Sequence, residues 1–229
     1  MLNSGIRILF EANNLLRLLL GLWVTLRIAL ISMALSLVLG TLMGILMTGR
    51  QAWLKALLKV YLEIVRVIPQ LVLVFLVYFG AAKHLALNFS AEGAAIIAFT
   101  FWGTAEIGEL VRSAIVSLPA HQAESGQALA LTPWQLYRYI LIPQTVTRLL
   151  PSLTSLMTRM IKTTAIVVLV GVVEVIEVGK QIIDANRFQY ANGAIWVYGA
   201  IFFLYFLLCY PFSKLSQYLE KKVKEGGQR

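Results

Sequence analysis

The stretch Gly21–Thr48, GLWVTLRIALISMALSLVLGTLMGILMT, runs for 28 residues with a single charge, Arg27. A helix rises 1.5 Å per residue, so roughly 20 apolar residues cover the hydrocarbon core of a bilayer. The run is long enough to cross and too long for the apolar region of a secretory signal. It lacks a clear small-residue cleavage site, so it is expected to remain in the protein as a first transmembrane helix.

Four more runs follow: Val60–Phe79, Gly93–Leu118, Leu153–Val175 and Ala194–Phe212. The expected fold is therefore all-α, a polytopic membrane protein with five transmembrane helices. Composition agrees, since 59% of residues are hydrophobic and 14% charged, against about a quarter charged in soluble domains. Residues 1–20 mix Arg7, Glu11, Asn13, Asn14 and Arg17 with Leu, Ile and Phe, which suggests an amphipathic segment at the membrane surface. Residues 21–212 form the membrane domain, with a loop at 119–151, and residues 213–229 form a basic tail. The net charge of +9 sits in short clusters without interleaved aromatics, so no nucleic-acid partner is expected. Cys209 is the one cysteine, which leaves no disulfide framework and no CxxC metal or redox site.

Orientation follows from where the cations lie. Arg50, Lys55, Lys59, Arg138, Arg148, Lys214, Lys221, Lys222, Lys224 and Arg229 fall in segments that share one side. Arg7, Arg17, Lys83, Lys180 and Arg187 fall on the other. The bias puts the N-terminus outside and the C-terminus in the cytoplasm of a bacterial inner membrane. The loop Pro119–Pro151 is then cytoplasmic, and a connection of that length usually carries function or helices of its own. It reads as two short helices, broken near Thr132-Pro133 and again at Pro143.

Within the loop, His121-Gln122-Ala123-Glu124-Ser125-Gly126-Gln127-Ala128-Leu129-Ala130 is followed by Ile140-Leu141-Ile142-Pro143. Small residues at Ser125, Gly126 and Ala130 leave a bare helix face that another protein's surface can approach closely. The pattern resembles the EAA loop of permeases of ATP-binding-cassette importers. There Glu-Ala-Ala, three residues, glycine and nine residues lead to Ile-x-Leu-Pro. Glu124, Ala130, Ile140 and Pro143 keep every spacing, while Ser125 and Gly126 replace the alanines, Ala130 the glycine and Ile142 the leucine.

The resemblance runs from about Leu20 to Arg187 and is greatest to the branch that carries polar amino acids. Gly21-Leu22-Trp23-Val24-Thr25-Leu26 is similar to that branch's opening helix. Tyr61-Leu62-Glu63-Ile64-Val65-Arg66-Val67-Ile68-Pro69 is similar to a signature that more often ends Arg-Gly-Thr-Pro. Ala105-Glu106-Ile107-Gly108-Glu109-Leu110-Val111-Arg112 resembles Ala-Tyr-x-x-Glu-x-x-Arg, and Lys162-Thr163-Thr164-Ala165-Ile166 resembles Lys-Asp-Thr-Ser-Leu. The resemblance implies a type I importer fold, with Glu124, Ser125, Gly126 and Ala130 docking on a separate ATPase that binds the ATP, so no cofactor resides in this chain. It also implies an extracytoplasmic solute-binding protein that delivers the cargo.

Charges inside a membrane are costly and need a partner or a purpose. Glu63 with Arg66, and Glu109 with Arg112, stand three apart on their helices and are expected to pair along one face. They serve either as structural ion pairs or as a cytoplasmic gate. Glu106 either pairs with Lys162 or faces the solute path. Glu174 and Glu177 are expected near the outer end of helix four, facing water or an external receptor. Pro69 is expected to bend the second helix, and Gly40-xxx-Gly44 allows close helix packing.

No catalytic constellation is present. His84 and His121 are expected on opposite sides of the membrane, no HExxH or GxSxG occurs, and Gly171…Gly179-Lys180 lacks the spacing of a phosphate-binding loop. Five helices are too few to enclose a gated path, so pairing with a second copy or a homologous permease is expected. The alternatives are a non-enzymatic membrane scaffold or assembly subunit, or a permease for a different small polar solute.

Overall fold

The computed structural model describes residues 5–80, 83 and 88–226, so Leu2, His84 and Arg229 lie outside the described residues. Helix dominates, and no strand occurs among the described residues. The principal helices are α1 (Asn14–Thr48), α2 (Ala52–Val67), α3 (Gln70–Phe75), α4 (Ala91–Val116), α5 (Ala120–Ala128), α6 (Pro133–Leu136), α7 (Ile142–Thr163), α8 (Val175–Asn186) and α9 (Gly193–Gly226). Among the described residues four helical stretches are long and apolar enough to cross a membrane, and the bent pair α2–α3 makes five if it is one span.

Several boundaries move. Helix α1 starts at Asn14 rather than Gly21, because the polar residues before Gly21 find partners instead of breaking the helix. Asn14 Nδ2 donates to Ile8 O at 2.7 Å, and Arg17 donates to Gln181 Oε1 at 3.3 Å. The expected second span is two helices. Ile68 and Pro69 are both extended, with ψ of 128° and 134°, because a residue before proline is driven from the α region and proline has no N–H to give. Pro143 does not end a helix. It lies in the first turn of α7, where a missing N–H leaves nothing unsatisfied, and helix continues through to a 3-10 stretch at Thr164–Val170. The expected basic tail is helical as far as Gly226.

The chain forms two compact units. The first comprises Met1–Ser32, Pro69–Phe99 and Thr158–Pro211. Its core gathers Ile8, Leu18, Val175, Val178, Ile182, Tyr190, Val197 and Ile201. Gly21 is required there by close approach, since a Cβ would stand 2.9 Å from Val175 Cα. Arg27 forms a two-pronged pair with Glu92 at 2.8 and 2.6 Å, joining α1 to the first turn of α4. The Tyr190 hydroxyl donates to Glu11, and that carboxylate holds the phenol above its ordinary pKa range.

The second unit comprises Met33–Ile68, Thr100–Met157 and Phe212–Arg229. Helix pairs in lipid associate through packing and hydrogen bonds rather than hydrophobic burial, and both devices are visible. A Cβ on Gly40 would meet Ile107 Cβ at 2.7 Å, and one on Gly44 would meet Gly108 O at 2.6 Å. The Gly-xxx-Gly pair thus presses α1 onto α4, as Ser36 Oγ donates to Thr100 O at 3.2 Å. Met43, Met47 and Leu62 close the contact of α1 with α2. Tyr61 donates to Phe101 O at 2.6 Å, with its ring edge-on to Phe101. Near the end of α9, Ser216 Oγ donates to Pro151 O at 2.9 Å.

Candidate functional site

The loop between α4 and α7 is built by local rules. Helix α5 stops because Ala130 is left-handed, with φ 55°, and Leu131 N–H reaches back to Gly126 O at 3.1 Å. This is the Schellman stop, usually made with glycine. Alanine holds here the position at which the importer pattern has glycine, so the turn survives the substitution with some backbone strain. Helix α6 starts with a reciprocal cap. Thr132 N–H donates to Gln135 Oε1 at 2.9 Å while Gln135 N–H donates to Thr132 Oγ1 at 3.3 Å, the capping-box arrangement.

The loop is tied down at two further points. Gln144 Nε2 donates to Gln122 Oε1 at 3.1 Å, linking α7 to α5. Arg148 donates to Ser117 O at 2.7 Å, linking α7 to the end of α4. Glu124, Ser125 and Ala130 are exposed, and beside them in sequence Leu129 is 75% and Trp134 73% exposed. Gly126 departs from expectation. It faces inward, where a Cβ would lie 2.5 Å from Leu136 Cδ1, so its smallness serves the packing of α5 on α6 and not an outer face.

The intramembrane charges of the second unit converge on one hollow of about 290 Å³, lined by Met47, Lys55, Lys59, Leu62, Glu63, Arg66, Glu109 and Arg112. Glu109 and Arg112 pair as expected, through two hydrogen bonds of 2.8 and 2.5 Å, and Ser113 Oγ adds a third to the same carboxylate at 3.1 Å. The expected Glu63–Arg66 pair does not form. Arg66 Nε instead faces Glu106 Oε1 on α4 at 3.7 Å. Burial explains the choice, since the Glu106 side chain is 13% exposed and Arg66 46%. A carboxylate so enclosed needs a counter-charge more than the exposed Glu63 does.

Lys162 belongs to the first unit. It lines an apolar hollow of about 350 Å³ with Ala165, Phe202, Tyr205, Phe206 and Cys209. Pro69 is exposed and precedes the first turn of α3. Glu174 is neither at a wet helix end nor free. It is fully buried, its Oε1 accepts from Ile176 and Glu177 N–H at 2.9 and 3.1 Å, and its Oε2 accepts from Thr25 Oγ1 at 3.2 Å. Gly171 at φ 85° ends the preceding helical stretch, and the chain turns so that Glu174 caps α8, a helix for which the sequence predicts no element. Among the described residues no group of three or more His, Cys, Asp or Glu is arranged to hold a metal ion.

A loop of two short helices with Glu124 exposed, set between helices long and apolar enough to span a membrane, fits the family whose model matches this chain. Its model, described as binding-protein-dependent transport system inner membrane component, matches residues 36–225. The chain belongs to that family. It is a multi-pass inner-membrane permease subunit and not an enzyme, the ATPase of such systems being a separate subunit. Among curated relatives, the probable amino-acid ABC transporter permease protein YckA of Bacillus subtilis is 33% identical over 158 residues, 69% of this chain and 67% of that protein. The glutamine transport system permease protein GlnP of Escherichia coli is 31% identical over 165 residues, covering 71% and 72%. The glutamate transport system permease protein GluD of Corynebacterium glutamicum is 32% identical over 211 residues, covering 91% and 76%. A crystal structure of an amino acid ABC transporter superposes with a TM-score of 0.81 at 25% identity, over 94% of this chain and 98% of that one. An inward-facing structure of the MetNI methionine transporter shares the fold, with a TM-score of 0.72 at 20% identity, over 93% and 99%.

Proposed function

We propose that this permease carries a polar or charged amino acid into the cytoplasm and couples that movement to ATP hydrolysis through the α5–α6 loop. The reading is carried by the exposed Glu124 and Ser125 on α5, whose end is fixed by the Ala130 stop just before the Thr132–Gln135 cap opens α6. A rigid exposed helix transmits force to what it touches, whereas a slack loop absorbs it. The docking face consists of Glu124, Ser125, Ala130 and the neighbouring Leu129 and Trp134. The names of YckA, GlnP and GluD support amino acids as the solute class.

In this reading two permeases, identical or homologous, enclose the path, two ATPase subunits bind the ATP, and a solute-binding protein delivers the cargo from outside. The N-terminus is outside and the C-terminus cytoplasmic, as the distribution of cations supports. Glu106, Glu109, Arg66 and Arg112, with Glu63 beside them, form the cytoplasmic gate, and Lys162 and Pro69 belong to the solute path. Purification of the tagged chain in mild detergent, with mass spectrometry of what accompanies it, tests the docking. Recovery of an ATPase that is lost on Glu124→Arg is the expected result. An ATPase retained unchanged by that substitution overturns the docking face, and recovery of no ATPase favours a scaffold subunit.

A further inference from the structure

The transport reading leaves two cations of the charged hollow unused. Lys55 and Lys59 stand one turn apart on α2 and line the hollow together with Arg66 and Arg112. Arg66 faces Glu106 and Arg112 is held by Glu109, while neither lysine makes an ion pair with any described residue. Four cations stand against Glu63 and Glu109 in the lining and Glu106 opposite Arg66, so one positive charge of the hollow is uncompensated.

Its position follows from the helices that meet there. Met47 is the penultimate residue of α1, and Glu109 and Arg112 lie in the last turns of α4. Both helices are long and apolar enough to span a membrane, so the hollow lies where hydrocarbon gives way to headgroups. On another face, α2 exposes Trp53, Leu57, Val60, Ile64 and Val67, at steps of four, three, four and three, a continuous apolar stripe. A helix with a lysine face, an apolar stripe and an exposed tryptophan at its start has the make-up of one seated at a membrane interface.

We propose that this hollow binds the phosphate group of an anionic phospholipid, held by Lys55 and Lys59 with Arg66 and Arg112 behind them. Basic pockets between spanning helices recognise acidic headgroups in this way, and a phosphate fits easily within about 290 Å³. The inference needs only the membrane placement of the chain and is independent of the solute and of ATPase docking.

The full chain in detergent micelles is titrated with phosphatidylglycerol, with phosphatidylcholine and with inorganic phosphate, reading retained lipid by native mass spectrometry and thermal stability alongside. Phosphatidylglycerol is expected to be retained and to raise the unfolding temperature, and phosphatidylcholine to do neither. K55Q/K59Q is expected to weaken phosphatidylglycerol binding roughly thirtyfold, the loss of two lysine–phosphate attractions. K55R/K59R and K221Q/K222Q are expected to keep it. Equal binding of the two lipids overturns the site, and so does a loss in K221Q/K222Q as large as in K55Q/K59Q. Inorganic phosphate that displaces phosphatidylglycerol at millimolar concentration overturns the lipid source. Circular dichroism of K55Q/K59Q matching the parent keeps the result attributable to binding.

Discussion

Glu174 in the first unit and Glu106 with Glu109 in the second are all carboxylates within apolar sequence, and they are treated in opposite ways. Glu174 is sealed, with both oxygens satisfied by two backbone N–H groups and a threonine hydroxyl and no exposed surface. Glu109 borders a hollow and Glu106 faces Arg66 in its lining, and both keep part of their surface open. The first arrangement fixes one conformation, because the Ile176 and Glu177 N–H groups at the start of α8 have no helical acceptor to replace the carboxylate. The second is looser: Arg66 meets Glu106 at 3.7 Å with its own side chain 46% exposed, an arrangement compatible with the proposed gate.

The contrast is broken most directly at Glu174. Glu174→Ala is expected to cost about 3 kcal/mol, from two abandoned helix N–H donors and the lost Thr25 bond, seen as a large fall in unfolding temperature in detergent; a fall no greater than that of a surface substitution would remove the distinction between the units. Gly44→Leu is expected to cost about 2 kcal/mol, because its side chain would collide with Gly108 O and Val111 and the α1–α4 contact must open. That result would sharpen the comparison, showing that the looser charges ride on a rigid pair of helices. Glu109→Gln is expected to change stability by less than about 1 kcal/mol while uptake per ATP hydrolysed in proteoliposomes falls. Unchanged coupling would return Glu109 and Arg112 to a structural role. Smallest of all, Ala130→Gly is expected to stabilise by roughly 0.5 kcal/mol, relieving a left-handed alanine against glycine's greater backbone entropy, with a rise of a degree or two in the unfolding temperature.

Five apolar runs were legible because lipid imposes length and composition on every spanning helix, and the loop was legible because its spacing is local. What escaped the sequence was long-range or amphipathic. Arg27 pairs with Glu92 across 65 positions, and no local pattern links them. Arg66 chooses Glu106 over the nearer Glu63, a choice set by burial rather than by helical spacing. Helix α8 is not among the expected elements, because Glu177, Lys180, Gln181 and Asp184 break the apolar run and its buried stripe of Val175, Val178, Gly179 and Ile182 shows only at helical spacing. Gly126 was assigned to an outer face because small size alone does not reveal which way a residue points, and Leu136 beneath it supplies the answer.

From Trp134 to Val170 the chain follows one helical track, through a π-helical turn at Tyr137–Leu141, the prolines at 143 and 151 and the 3-10 stretch. The π turn, the two prolines and the 3-10 stretch each loosen the i→i−4 ladder, so the places where this track can bend are written into it at fixed residues.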